Sequence, residues 1–209
     1  MIDLYTWPTP NGRKVSILLA ELGVDYRVHA VDITRGAQHS ETFAALSPTR
    51  KIPLLVDRET GLTLSESNAI LLYLAEKHRR FLPGQVAARA QAISWLMWQG
   101  AALGPMAGQA HVFLHDNPGR APFAEEKFHA TVRKLYAVLD RRLEGRSHVC
   151  DSYSIVDMAC FPWIARHPRH RVALAEFANV AAWYRRMSQR PAVQAGYHVP
   201  FHRDGVPRA

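Results

Sequence analysis

Three short segments of this chain have residue types that can hold a charged ligand: Thr9-Pro10-Asn11-Gly12, Lys51-Ile52-Pro53 and Ser65-Glu66-Ser67. The first reads as a helix start, with Thr9 as N-cap and Pro10 at the first helical position. Its backbone N–H groups and the positive end of the helix dipole favour an anion or a thiolate, although a plain capped helix reads the same way. The second places a proline just before a strand. A cis peptide there offers the Ile52 backbone to a ligand rather than to the sheet, whereas a trans edge proline has no such role. The third combines a helix N-terminus suited to a carboxylate with Glu66, suited to an ammonium group. A ligand carrying thiol, carboxylate and ammonium at suitable spacing satisfies all three, and glutathione is such a ligand.

Other chemistries find little support. The chain has no P-loop, G-x-G-x-x-G, G-x-S-x-G or H-E-x-x-H run. His111 and His115, and His167 and His170, are spaced for neighbouring turns but have no obvious third ligand, so surface or cap histidines are expected and no metal. Cys150 and Cys160 are the only cysteines. Two thiols outside any C-x-x-C pair exclude a disulfide framework and a structural zinc cluster, and fit a reducing compartment. No basic and apolar leader is visible after Met1, so the expected location is cytoplasmic. With 48% hydrophobic and 21% charged residues, the composition is that of a globular chain and rules out disorder.

The formal charge of +8 lies almost wholly after residue 80, where sixteen basic residues face nine acidic ones. Arg141, Arg142, Arg146, Arg185, Arg186 and Arg190 recur at helical intervals beside apolar residues, as on solvated faces, so a nucleic-acid partner is not expected. Residues 90–114 contain no Asp, Glu, Lys or Arg and carry Gly100, Gly104 and Gly108 at four-residue spacing. Gln99, Gln109, His111 and Pro105 speak against a membrane span. The expected form is a buried helix whose glycines admit another backbone, a subunit or a ligand.

These segments need a scaffold, and the hydrophobic period supplies one. Strands are expected at Ile2 to Thr6, Asp25 to Val31, Ile52 to Val56 and around Thr63-Leu64, with one helix running to Gly23 and another, led into by Ser65-Glu66-Ser67, running to about Lys77. After Phe81-Leu82-Pro83-Gly84 the period is helical throughout, over Ala87 to about Leu114, Ala124 to Leu143, Ile155 to Arg166 and Val180 to Arg190. Ser154 and Asp157 have the spacing of an N-capping box. The expected organisation is an α/β domain over residues 1–80 and an all-α domain over residues 87–200.

The order of these marks, from Thr-Pro-Asn through Ile-Pro to Ser-Glu-Ser, resembles the glutathione transferase superfamily over essentially the whole chain. It resembles most the bacterial nu-class and related glutathione-dependent disulfide-bond oxidoreductases, through Thr9 to Gly12, Gly104-Pro105-Met106-Ala107-Gly108-Gln109 and Tyr153 to Asp157. The resemblance implies a thioredoxin-like N-terminal domain, an all-α C-terminal helical domain and a two-fold homodimer. It places Thr9 and Asn11 where other classes carry a catalytic Tyr, Ser or Cys. It gives the cysteinyl-glycine portion to Gln38 and Ile52, within the Lys51-Ile52-Pro53 loop, and the γ-glutamyl end to Glu66 and Ser67. Tyr5, near the tyrosine position of some classes, is expected to be structural. One departure is visible: Phe123-Ala124-Glu125-Glu126-Lys127-Phe128 stands where the family usually has Tyr-Ala-x-x-Arg-Tyr, so Lys127 keeps the charge of a glutathione-binding arginine without its planar fork.

The implied activity is disulfide reduction by bound glutathione thiolate, with no protein cysteine required. Conjugation of glutathione to an electrophile is the alternative within enzymes; Trp7, Met97, Met106 and Phe113 either line its second site or are core. A non-catalytic glutathione-binding protein is the alternative outside them.

Overall fold

The computed structural model describes residues 1–201 and 205–208 and divides the chain into two compact units. The first holds Met1–Arg80 together with the described residues of Arg190–Val206; the second holds Phe81–Gln189 with Pro207 and Arg208.

In the first unit, β1 (Ile2–Thr6), β2 (Tyr26–Ala30), β3 (Leu54–Asp57) and β4 (Leu62–Leu64) form one mixed sheet in the order β2-β1-β3-β4. β1 runs parallel to β2 and antiparallel to β3, and β3 and β4 form the expected hairpin. Between β1 and β2 lies α1 (Pro10–Leu22), capped by Thr9 and closed by Gly23 in the left-handed conformation at φ 68°. Both boundaries fall where the local residue types put them, because capping is decided within one turn. Val15, Ile17, Leu18 and Leu19 bury its apolar side. The short helix α2 (Glu41–Leu46) was not expected; it buries Phe43 against Val31 and Leu54, and Tyr5 packs on the same cluster. Tyr5 is thus structural, as expected. α3 (Ser67–His78) follows the hairpin.

The second unit is helical: α4 (Val86–Trp98), α5 (Gly104–His111), α6 (Pro122–Arg142), α7 (Ile155–Ile164) and α8 (Ala178–Ser188). The single helix expected from Ala87 to Leu114 is instead interrupted by π-helical turns at Gln99–Leu103 and Val112–Asp116. Pro105 has no N–H to give to the turn before it, which favours a break at that point. Gly104 and Gly108 face the indole of Trp163, so the body these two glycines admit belongs to the same chain. Among the described residues, no helix is long and apolar enough to cross a membrane. The capping box is present, and Asp157 also accepts from Val149 N–H and Trp183 Nε1, both at 2.9 Å.

One expectation needs correction. Residues 190–200, assigned to the helical domain on their position after residue 87, pack with the first unit. There α9 (Pro191–Tyr197) lies on α1 so closely that a Cβ on Gly196 would stand 2.7 Å from the Ile17 backbone nitrogen. Ser16 Oγ donates to the Gly196 carbonyl at 2.7 Å, the Arg13 guanidinium covers the Tyr197 ring, and Arg190 grips Glu21 with two nitrogens. These partners are far apart in sequence, and no local pattern announces them.

Candidate functional site

The register of the sheet brings the three segments to one end of it. Thr6 closes β1 next to Ala30, Tyr5 pairs with Leu54 at the start of β3, and Leu55 pairs with Leu64 at the end of β4. Where β1 leaves the sheet, β3 therefore enters it and β4 leaves it. Thr9, Ile52 and Glu66 all follow or precede these strand ends by a few residues.

At the α1 start, Thr9 Oγ accepts the Gly12 N–H at 3.2 Å, and the Thr9 carbonyl accepts the Arg13 N–H at 3.0 Å. Pro10 has no N–H. The Gly12 and Arg13 N–H groups, expected to be open to a ligand, are thus engaged within the turn. Thr9 still has its hydroxyl hydrogen to donate, because accepting occupies only an oxygen lone pair. Thr9 and Asn11 are both half-buried.

The Ile52–Pro53 peptide is cis, the first of the two alternatives. The β1–β3 ladder begins at Leu54, which leaves Ile52 outside it, while its side chain packs beside Tyr5 on the Val31–Phe43–Leu54 cluster. Lys51 is exposed, and its carbonyl accepts from Ser47 Oγ at 3.2 Å. Gln38 lies in the short 3-10 turn Ala37–His39, and its Oε1 is buried with no hydrogen-bond partner among the described residues. Such an acceptor costs about 1–3 kcal/mol unless something donates to it. An amide N–H of a bound peptide-like ligand is a fitting donor.

Glu66 is the N-cap of α3 and sits at φ 65°, ψ 110°, a conformation that a side chain disfavours. Keeping Glu there costs on the order of 1–3 kcal/mol, and such strain recurs at ligand clamps. Its carboxylate is exposed and makes no cap hydrogen bond. Ser67, the first helical residue, is 6% exposed and accepts from Lys14 Nζ at 3.1 Å; the same ammonium donates to Asn68 Oδ1 at 2.9 Å. Lys14 escaped the sequence reading, since a lysine in an amphipathic helix carries no sign that it is 1% exposed.

Lys127 is exposed on α6 in the second unit, with its ammonium 6.0 Å from the centre of the Phe123 ring. The cysteines are also in the second unit, 5% exposed at Cys150 and fully buried at Cys160. Burial pushes the Cys150 thiol up from its ordinary pKa, the reverse of what a reactive thiol needs. Among the described residues no group of three or more His, Cys, Asp or Glu is arranged to hold a metal. His115 is exposed, as expected, but two of the histidines need correction: His170 is fully buried and His111 half-buried, with their rings 5.3 Å apart, rather than surface groups. They fill the interior between α5, α6 and the turn His167–His170.

The profile described as "Glutathione S-transferase, N-terminal domain" matches residues 1–76, and that of the C-terminal domain matches residues 103–191. The chain is 44% identical to the disulfide-bond oxidoreductase YfcG of Escherichia coli (strain K12) over 198 residues, 92% of each protein. Among solved structures it resembles a glutathione transferase of Pseudomonas putida with one glutathione disulfide bound per subunit, at a TM-score of 0.91 and 38% identity over 95% of this chain and 91% of that one. A family member from Pseudomonas fluorescens with two glutathiones bound follows, at a TM-score of 0.90 and 36% identity over 95% and 93%.

Proposed function

Because the chain belongs to the glutathione S-transferase family, we propose that it is a glutathione-dependent disulfide reductase whose nucleophile is the thiolate of bound glutathione. The observation that carries this reading is the pairing of Thr9 and Asn11 at the α1 start with the burial of both cysteines in the other unit. A thiol-disulfide exchange needs a thiolate, and the first unit contains no cysteine. The names of the relatives, which include a disulfide-bond oxidoreductase and a protein holding glutathione disulfide, support the same chemistry.

In the exchange, glutathione thiolate attacks one sulfur of the substrate disulfide, forming a mixed disulfide and releasing the other sulfur as a thiolate. A second glutathione thiolate attacks the glutathione sulfur of that mixed disulfide. The products are glutathione disulfide and two substrate thiols, so two electrons pass from two glutathiones to one disulfide. Thr9 and Asn11 donate to the first thiolate, and the α1 dipole lowers its pKa. Ile52 holds the cysteinyl backbone, Gln38 takes a ligand N–H, Lys51 stands beside the glycyl carboxylate, and Glu66 with Ser67 holds the γ-glutamyl end. Lys127 supplies a cation for a carboxylate. The active form in this proposal is a two-fold homodimer, which sedimentation at the assay concentration would test.

The deciding experiment sets glutathione-dependent reduction of 2-hydroxyethyl disulfide beside conjugation of an aryl halide. Reduction without conjugation is the expected result. Conjugation alone would make the protein a transferase, and binding without either reaction would make it a binding module.

Asn11→Ala is expected to lower kcat/KM by roughly 10- to 150-fold, the equivalent of about 1.5–3 kcal/mol for a lost donor to a charged sulfur, with little change in Tm. Unchanged kinetics would remove Asn11 from the mechanism. Glu66→Gln keeps the shape of the strained residue and removes its charge. Its contact is remote from the sulfur and similar in ground and transition states, so KM for glutathione should rise several-fold at constant kcat. A fall in kcat at saturating glutathione would contradict the assignment. The double replacement Cys150→Ser with Cys160→Ala should leave disulfide reduction per folded molecule within about twofold of the parent, since neither buried thiol is a nucleophile. Loss of nearly all reductase activity with glutathione still bound would show that a protein thiol carries the exchange.

A further inference from the structure

We infer that Lys14 is a positioning residue for the γ-glutamyl carboxylate of glutathione, acting through Ser67 and Asn68; the inference rests on the glutathione reading above. Lys14 is 1% exposed, and its ammonium donates to Ser67 Oγ at 3.1 Å and to Asn68 Oδ1 at 2.9 Å. Both acceptors stand in the first turn of α3, directly after strained Glu66. This is the positive end of a helix, where the dipole opposes a cation. Burying an ammonium there costs several kcal/mol of hydration besides. The arrangement sums two positive potentials on one spot, and that sum is useful to a bound carboxylate.

The hydrogen-bond directions support the same use. An ammonium has only donors, so Ser67 Oγ accepts from Lys14, which leaves its own hydrogen to donate. A carboxylate at the helix N-terminus is such an acceptor. Lys14 lies one turn beyond Asn11 on α1. One rigid helix thereby carries the donor for the sulfur and the cation for the far end of the tripeptide. The spacing between thiol and carboxylate is then matched by helix geometry rather than by a loop.

The test measures affinity by titration calorimetry with two ligands: glutathione, and 4-aminobutanoyl-cysteinylglycine, which lacks only the γ-glutamyl carboxylate. The variants are Lys14→Met and Lys14→Gln; the glutamine keeps a donor for Ser67 without the charge, and so preserves packing if the methionine variant fails to fold. The parent is expected to prefer glutathione over the analogue by roughly 10- to 100-fold. Both variants should lose most of that preference, binding glutathione 10- to 100-fold more weakly and the analogue as the parent does. A Lys14→Gln variant with the parent's preference intact overturns the inference. Equal weakening of both ligands also overturns it, because that is what a purely structural lysine would do. A parent that binds neither ligand refutes the glutathione reading itself, which is a separate result.

Discussion

Lowering the pH from 7 to 4.5 is expected to cost the helical unit several kcal/mol of stability, with His170 as the largest single cause. His170 is fully buried between α6 and the turn it closes, its Nδ1 3.0 Å from the Tyr136 hydroxyl and its Nε2 buried with no hydrogen-bond partner among the described residues. Burial lowers its pKa to about 3, and His111, His167, Arg166 and Arg169 push in the same direction. His111 is lowered to about 4 by burial first and then by Arg169 and Arg166, with Asp116 opposing and His115 adding to the shift. In the unfolded chain both rings take a proton near pH 6.5. Between that value and their folded pKa values the unfolded state binds more protons, so stability rises with pH and is lost as the pH falls. At pH 4.5 the loss for His170 alone is on the order of 2–3 kcal/mol, and His111, only half-buried and charge-coupled to it, adds less.

Asp157, raised by burial, opposes the fall and lessens it, whereas Asp57 does not confuse this window. Burial would raise its pKa, but hydrogen bonds from Lys77 and Tyr73 outweigh it and hold the carboxyl at about 2, so its contribution is lost only below its ordinary value of 3.8. Urea midpoints at pH 7 and 4.5, compared between the parent and His170→Gln, provide the check. The pH-dependent fall should shrink in the variant by roughly the share of one histidine. The same fall in both proteins would show that His170 does not sense the pH.

Gly12→Ala is expected to cost about 3 kcal/mol of stability and most of the glutathione-dependent activity. A Cβ at this position collides with Thr6 Oγ1 and lies 2.5 Å from the Trp7 carbonyl oxygen. The threonine side chain can turn away. The carbonyl cannot, because it is backbone and accepts the Thr9 N–H at 2.6 Å. The first turn of α1 must then lift off the β1–α1 connection, and Thr9 and Asn11 move with it. A displacement of about 1 Å at a reacting group is enough for roughly a hundredfold loss. Calorimetric Tm should fall by roughly 6–12 °C for a chain of this size, and kcat/KM per folded molecule should fall with it. Retention of both would mean that the turn is far more pliable than its contacts indicate.

Both predictions concern features at opposite ends of what the residues alone disclose. Thr9, Pro10 and Gly23 fix the ends of α1, and Ser154 with Asp157 starts α7, because a cap is made by residues three or four apart and is written in their types. Ser65-Glu66-Ser67 was readable as a helix start from its residue types, although Glu66 makes no cap hydrogen bond there. The candidate site was legible as three loops and not as one place: only the register of Tyr5 with Leu54 and Leu55 with Leu64 carries them to the same end of the sheet. Lys14 reaches Ser67 across 53 residues, and Ser16 reaches Gly196 across 180. Those contacts decide that a lysine is buried at a helix N-terminus and that the C-terminal helix joins the first unit. The burial of His170 is settled likewise, by Tyr136 on another helix. Local hydrogen bonding and periodicity act within one or two turns, so the sequence by itself determined the strands, most of the helices, the caps of α1 and α7 and the residue types offered for chemistry. Burial and convergence depend on pairing between distant segments, and only the tertiary structure decided them.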